Sequence, residues 1–303
     1  MKTFLGIDTS NYTTSVALVQ DGKVTRNLRR ILTVKQGERG LRQSDAVFAH
    51  TVNLPELFAQ LGECHPSAVG VSLTPRDAEG SYMPCFLAGR SAASAIASVL
   101  GVPLFGFSHQ RGHLMAALYS CGRTDLYGGD FLAFHVSGGT TEVVHVSGEQ
   151  IRLLGGSEDI SCGKLIDRVG VMLGLSFPCG GELERLAARG TVHAPVKVCV
   201  RGMQCNLSGA ENQARGLLDA GETPENVAAF TLAFVRETLV RLTCHAKQAY
   251  PNVPVLYAGG VMSNRLILPA LQLLGECYFA EPEYSCDNAS GIALLCRRNY
   301  ENG

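Results

Sequence analysis

A stretch of sixteen residues occurs twice in this chain, 127 positions apart and without a gap, and nothing else in the sequence constrains the fold as much. Phe4-Leu-Gly-Ile-Asp-Thr-Ser-Asn-Tyr-Thr-Thr-Ser-Val-Ala-Leu-Val19 lies on Phe131-Leu-Ala-Phe-His-Val-Ser-Gly-Gly-Thr-Thr-Glu-Val-Val-His-Val146. Seven positions are identical: Phe4/Phe131, Leu5/Leu132, Ser10/Ser137, Thr13/Thr140, Thr14/Thr141, Val16/Val143 and Val19/Val146. Each copy is an apolar run, a short Ser/Thr/Asn/Gly turn and a second apolar run, which reads as a β-hairpin. A small polar turn of this kind leaves backbone N–H groups to face an anion. The plainer alternative is two unrelated hairpins of similar composition.

Duplicated halves, each opening on a hairpin whose turn can cradle phosphate, describe an α/β chain of the actin, sugar-kinase and heat-shock chaperone architecture, with two RNase H-like lobes. The expected lobes are 1–122 and 123–303, joined within Tyr119–Asp130, where Gly122, Gly128 and Gly129 cluster. Periodicity predicts helices over Ala46–Leu61, Gly89–Leu100, Gly163–Leu173, Glu182–Arg189, Glu225–Ala249, Asn264–Leu274 and Asp287–Arg298. Strand-like runs fall at Ala68–Leu73, Pro103–Phe107, Pro254–Tyr257 and Cys277–Ala280, and this alternation argues for α/β layers.

Composition narrows the function. With 26 Lys+Arg against 27 Asp+Glu, the formal net charge is -1, which argues against a general nucleic-acid coat protein. Positive charge does gather early, at Lys23, Arg26, Arg29, Arg30, Lys35, Arg39 and Arg42. Such a run is either a solvated strand and loop or a phosphate-contacting edge. Eleven cysteines, odd in number and without a C-x-x-C pair, read as mostly buried thiols of a reduced chain. The N-terminal Met-Lys-Thr-Phe-Leu-Gly-Ile-Asp8 meets a charge before a signal-peptide apolar region forms, so a cytoplasmic location is expected. The uncharged stretch near Ser91–Gln110 is broken by Gly101 and Pro103 and reads as a buried helix and a strand, so no membrane contact is expected.

Ser108-His109-Gln-Arg-Gly-His113 places two imidazoles at i and i+4 on one helix face, close enough to share a cation. They would equally serve as polar residues of a surface helix. The protease pattern H-E-x-x-H fails, because Gln110 stands where its general-base Glu belongs. A two-histidine site wants a carboxylate, and Asp287 is available, although its position before a helix also reads as an N-cap. Leu256-Tyr-Ala-Gly259-Gly260-Val-Met-Ser-Asn264 is a strand, a glycine turn and a helix start; Asn264 both donates and accepts, as a sugar or adenine requires. With the turn Val136-Ser137-Gly138-Gly139 it would wall a nucleotide cleft. Gly163-Lys-Leu-Ile-Asp167 and Phe177-Pro-Cys-Gly180-Gly181 add a carboxylate and a second glycine turn, or simply an amphipathic helix with a C-terminal break.

Taken in order, GIDTS, SHQRGH, VSGGTTEVV, GKLIDRVGVMLGL, FPCGGELERLA, NLSG, AGGVMSNR and CDNASGIA run from Phe4 to about Ala293 and resemble the tRNA N6-adenosine threonylcarbamoyltransferase family, that of TsaD and its archaeal and eukaryotic relatives. The resemblance implies an actin-like acyltransferase that moves a threonylcarbamoyl group from threonylcarbamoyl-AMP to N6 of adenosine in tRNA. It implies one divalent metal, iron or zinc first, on His109, His113 and Asp287, which are then also the catalytic residues. It puts the adenylate on His135, Val136, Ser137, Gly138, Gly139, Asp167, Gly180 and Asn264, and implies protein partners of the TsaB and TsaE kinds. Departures from the family pattern are Arg111 between the histidines, Lys164, Ser208-Gly209-Ala210-Glu211, Asn11-Tyr12-Thr13 and Pro75-Arg-Asp-Ala-Glu. A carbamoyltransferase acting on a small metabolite and a non-catalytic actin-like partner of a true TsaD are the rival expectations. The second has no physical need of the metal donors.

Overall fold

The computed structural model describes residues 2–10, 12–33 and 41–303. In chain order the elements are β1 (Thr3–Asp8), β2 (Thr13–Gln20), β3 (Lys23–Ile31), α1 (Gln43–Leu61), β4 (Ala68–Thr74), α2 (Phe86–Leu100), β5 (Leu104–Ser108), α3 (His109–Ser120), β6 (Asp130–Val136), β7 (Thr141–Ser147), β8 (Gln150–Ser157), α4 (Cys162–Met172), α5 (Gly180–Ala187), β9 (Cys199–Arg201), β10 (Gln204–Asn206), α6 (Ser208–Asp219), α7 (Pro224–Ala249), β11 (Val255–Ala258), α8 (Leu268–Gln272), β12 (Cys277–Phe279) and α9 (Ser290–Asn302). Among the described residues no helix is long and apolar enough to cross a membrane.

The chain forms two compact units, Met1–Thr124 with Glu283–Gly303, and Asp125–Pro282. The first holds a sheet of order β3-β2-β1-β4-β5. The second repeats it as β8-β7-β6-β11-β12 and extends the β8 edge with β10 and β9. In both, three antiparallel strands are followed by two parallel ones. The repeat holds to the rung: Phe4 pairs with Val19 as Phe131 pairs with Val146, and Asp8 faces Ser15 as His135 faces Glu142. Asn11, in the first hairpin turn, lies outside the described residues, as do Lys35 and Arg39.

Strands β1 and β6 are buried along almost their whole length, so they read as continuous apolar runs rather than alternating ones. One face of the first sheet packs Leu5, Ile7, Val16 and Val71 against Leu54, Leu57 and Leu61 of α1 and Ala93 and Ala97 of α2. On the other face lies α9, seated on bare backbone: a Cβ at Gly6 would meet Ala289 O at 2.5 Å, and one at Gly70 would meet Ile292 O at 2.9 Å. Helix α3 crosses α9 just as closely, since a Cβ at Gly291 would collide with the carbonyl oxygen of Gly112. This close seating is why residues 283–303 belong to the first unit, where the expected division 123–303 has them in the second.

Most expected elements form within a few residues of their predicted ends. Helix α7 begins with Thr223 accepting from Asn226 N at 3.3 Å and Pro224 in its first turn. The helix expected over Asn264–Leu274 shrinks to α8, because Pro269 has no N–H to continue the ladder from the preceding turn. Helix α6 is not among the expected elements; its sequence is polar and glycine-containing. Asp159 organises its start from outside, accepting from Leu207 N at 2.8 Å, Ser208 N at 2.9 Å and Ser208 Oγ at 2.6 Å. Burial is the largest single influence and opposes ionisation, but those bonds together outweigh it and hold the Asp159 carboxyl well below its ordinary range. Thiol burial is less general than expected: five of eleven cysteines are buried, and Cys199, Cys244 and Cys286 are exposed.

Gly291→Ala should cost on the order of 3 kcal/mol by forcing α3 and α9 apart. Gly216→Ala, in open space within α6, should instead add about 0.5–1 kcal/mol; urea denaturation of both variants checks the sign. Asp159→Ala should cost about 1–2 kcal/mol at neutral pH. Because the folded carboxyl is held low, its contribution is present above about pH 4 and is lost below it, so the deficit should shrink on acidification.

Candidate metal centre and glycine turns

Three side chains converge at the start of α3. Strand β5 ends at Ser108, whose Oγ accepts from Arg111 N at 3.2 Å and so starts the helix. One turn apart on that helix, His109 and His113 bring their Nε2 atoms to 2.8 Å. Asp287 Oδ1 lies 3.2 Å from His113 Nε2 and 3.5 Å from His109 Nε2. The three donor atoms fall within 4.8 Å of one another. Asp287 does not cap α9, contrary to the alternative expectation. The N-cap position falls on Ala289, one residue after Asn288, whose Oδ1 accepts from Ser290 N at 3.0 Å; the Asp287 carboxylate turns toward the histidines.

Asp8 is the residue of this cluster that motif reading missed. Its side chain is 1% exposed at the end of β1, and Oδ2 sits 2.6 Å from His109 Nδ1. Oδ1 accepts from Ser10 N at 2.8 Å and Ser72 Oγ at 2.9 Å, so the carboxylate cannot swing. The signal was in the repeat itself: a charged residue closing an otherwise buried strand needs a partner. Burial alone would lower the His109 pKa, but the Asp8 charge and the bonds to Asp287 and Asp8 raise it to about 10. Burial opposes ionisation of Asp287 and Asp8 as well. Hydrogen bonds from His109 and His113 hold Asp287 well below the usual carboxylate range, and the His109 charge draws Asp8 down.

Two of the charged departures from the family pattern, Arg111 and Glu211, are paired. Arg111 Nε meets Asp77 Oδ2 at 2.5 Å, joining α3 to the unusual 75–79 loop, and Arg168 Nη1 meets Glu211 Oε2 at 3.0 Å. Lys164 is exposed on α4. Four of the five buried thiols are held in the unreactive protonated form: burial pushes Cys162, Cys205 and Cys296 up to about 12 and raises Cys179 as well.

The remaining candidate residues lie in the second unit. Ser137 closes the β6–β7 turn, its N donating to Thr140 O at 2.7 Å and its Oγ accepting from Thr140 N at 3.1 Å. Gly138 and Gly139 are exposed with open space above them. The first turn of α4 rests on this loop: Ser161 Oγ donates to Gly138 O at 2.6 Å, and a Cβ at Gly163 would meet Gly138 Cα at 2.6 Å. Farther along α4, Asp167 Oδ1 accepts from Cys179 N at 2.8 Å and sets Gly180 at the open start of α5. Val136 and Asn264 are buried, and His135 is half-buried. Asn264 Oδ1 accepts from Leu266 N at 3.0 Å, shaping the turn after β11.

The chain is 30% identical over 306 residues to a tRNA N6-adenosine threonylcarbamoyltransferase of Thermus thermophilus, covering 99% of this chain and 93% of that one. Among solved structures, HypF from T. kodakarensis superposes with a TM-score of 0.63 at 13% identity, over 99% of this chain and 48% of that one. A ROK family glucokinase from Streptomyces griseus, in complex with glucose and AMPPNP, gives 0.54 at 11% identity, over 98% and 99%. At such identities these two speak for the fold alone, which is actin-like. The family model for TsaD, tRNA N6-adenosine threonylcarbamoyltransferase, matches residues 65–294. The chain belongs to the tRNA N6-adenosine threonylcarbamoyltransferase family.

Proposed function

We propose that this chain transfers the threonylcarbamoyl group of threonylcarbamoyl-AMP to N6 of an adenosine in tRNA, with a divalent metal held by His109, His113 and Asp287. The observation that carries the reading is the convergence of two imidazoles and a carboxylate on one point, in a chain of this family. The donor chemistry fits a cation. Two imidazole nitrogens 2.8 Å apart must otherwise share a proton, whereas a cation takes both lone pairs. Asp8, on Nδ1 of His109, favours the tautomer whose Nε2 lone pair is available. Nitrogen and carboxylate donors suit iron or zinc.

When bound, such a cation supplies Lewis-acid polarisation of the acyl carbonyl. The amine nitrogen forms a bond to the carbamoyl carbon, the carbon–oxygen bond to phosphate breaks, AMP leaves with the electron pair, and the amine gives up a proton. The chain's own residues position: His109, His113 and Asp287 as donors, and His135, Val136, Ser137, Gly138, Gly139, Asp167, Gly180 and Asn264 for the adenylate. A nucleophilic serine or cysteine is not required, in keeping with the raised thiols. The Arg111–Asp77 and Arg168–Glu211 pairs neutralise two of the three charges that favour a small-metabolite acceptor, and the third, Lys164, is exposed on α4. Partners of the TsaB and TsaE kinds belong to the same reading.

Purified protein should carry a divalent ion at unit stoichiometry, lost in His109→Ala with His113→Ala; metal-free wild type would remove the centre from the proposal. In a reconstituted reaction with this chain as the sole transferase, tRNA should gain threonylcarbamoyladenosine, detectable by mass spectrometry of its nucleosides. Unmodified tRNA, with a small carbamoylated product instead, would overturn the acceptor. Asp8→Asn should weaken metal binding about 10–100-fold with an unchanged circular dichroism spectrum; calorimetric titration measures it.

A further inference from the structure

We propose that one face of the first unit binds a single-stranded or loop segment of RNA, through a cationic cavity, a tyrosine pair and Arg29; this rests on the tRNA reading above. The cavity, of about 400 Å³, is lined by Gly22, Tyr119, Thr124, Leu294, Arg297 and Arg298 among others. That volume lies in the range of ligand pockets. Arg297 lies over Gly22 in the β2–β3 turn, where φ is +79° and a Cβ would collide with the guanidinium. Tyr119 fixes the neighbouring strand by accepting from Val24 N at 3.1 Å. Its ring meets Tyr284 edge to face at 5.6 Å, and both tyrosines are partly exposed.

Tyr284 opens the short segment that leads to Cys286 and Asp287. There the Arg29 guanidinium reaches Cys286 Sγ, beside one of the metal-site candidates. The basic run is thereby divided by strand alternation. Arg30 turns to the α1 side and pairs with Glu56, while Arg29 turns to the α9 side and joins the face described here. Lys23 and Arg26, exposed on the same edge strand, pair with Gln20 and Leu18 and so share the Arg30 side, leaving Arg29 as the strand's contribution to this face. Among the described residues, the one acid in the cavity lining is Glu301, which holds Arg297 Nε at 2.9 Å. Cations for phosphates, interleaved with aromatic faces for bases, are what unpaired RNA requires. An acidic protein partner fits less well, because the tyrosines and cavity offer no continuous apolar core.

The test uses the full chain and an in-vitro tRNA transcript. Arg297→Ala with Arg298→Ala, and separately Arg29→Ala, should each weaken tRNA binding about tenfold. The double variant should also lower the slope of log affinity against log salt by about 1.4, as expected for two lost phosphate contacts on a single strand. Arg215→Ala with Arg236→Ala, two exposed arginines of the second unit, matches the charge change and should leave affinity within twofold. Wild-type binding with unchanged affinity and slope in the first-unit variants would overturn the surface while leaving the tRNA reading standing. No wild-type binding at about 50 mM salt would overturn both.

Discussion

Everything at the metal-site candidate depends on a contact with no side chain in it. Where α3 crosses α9, the carbonyl of Gly112 occupies the space a Cβ at Gly291 would need. Gly112 lies between His109 and His113, and Gly291 lies four residues after Asp287. The crossing therefore fixes how far the imidazoles stand from the carboxylate, although the donors are far apart in sequence. Gly6 and Gly70 extend the same constraint to the sheet, so that β1, which carries Asp8, is held to the same helix. A donor set distributed over three elements stays within hydrogen-bonding distance because backbones, which have no rotamers, set the spacing.

Electrostatics then finish what packing begins. Asp8, almost fully buried, is acceptable only because two donors and an imidazole satisfy it. Its charge opposes the desolvation that would otherwise keep His109 neutral. The same matching appears away from the centre, where Arg111 is met by Asp77 and Glu211 by Arg168. Arg111 and Glu211 look in sequence like charge reversals facing a ligand, yet in space each is one half of an ion pair.

Much of the fold was legible because it is local and repeated. The 127-residue offset foretold two sheets of like topology, and even the register, since alternation and turn length fix which residues face each other. The pair His109 and His113 was legible from helix geometry alone. Asp287 was ambiguous, because position before a helix does not distinguish a cap from a ligand; only its approach to His113, at 3.2 Å, resolves it. Asp8 was hidden, since its partner stands 101 residues away. The return of α9 to the first unit was hidden for a similar reason. A glycine in a strand does not announce whether it is waiting for a helix.

The shared rung of Asp8 and His135 carries one more consequence. The register that fixes both positions is set by backbone bonds and by apolar neighbours, not by what stands on the rung. A doubled scaffold therefore gives chemistry two addresses of identical construction that can be rewritten independently. One copy carries an acid that steadies an imidazole; the other carries an imidazole at the head of an open glycine turn. The cost of changing that position in one half is not borne by the other.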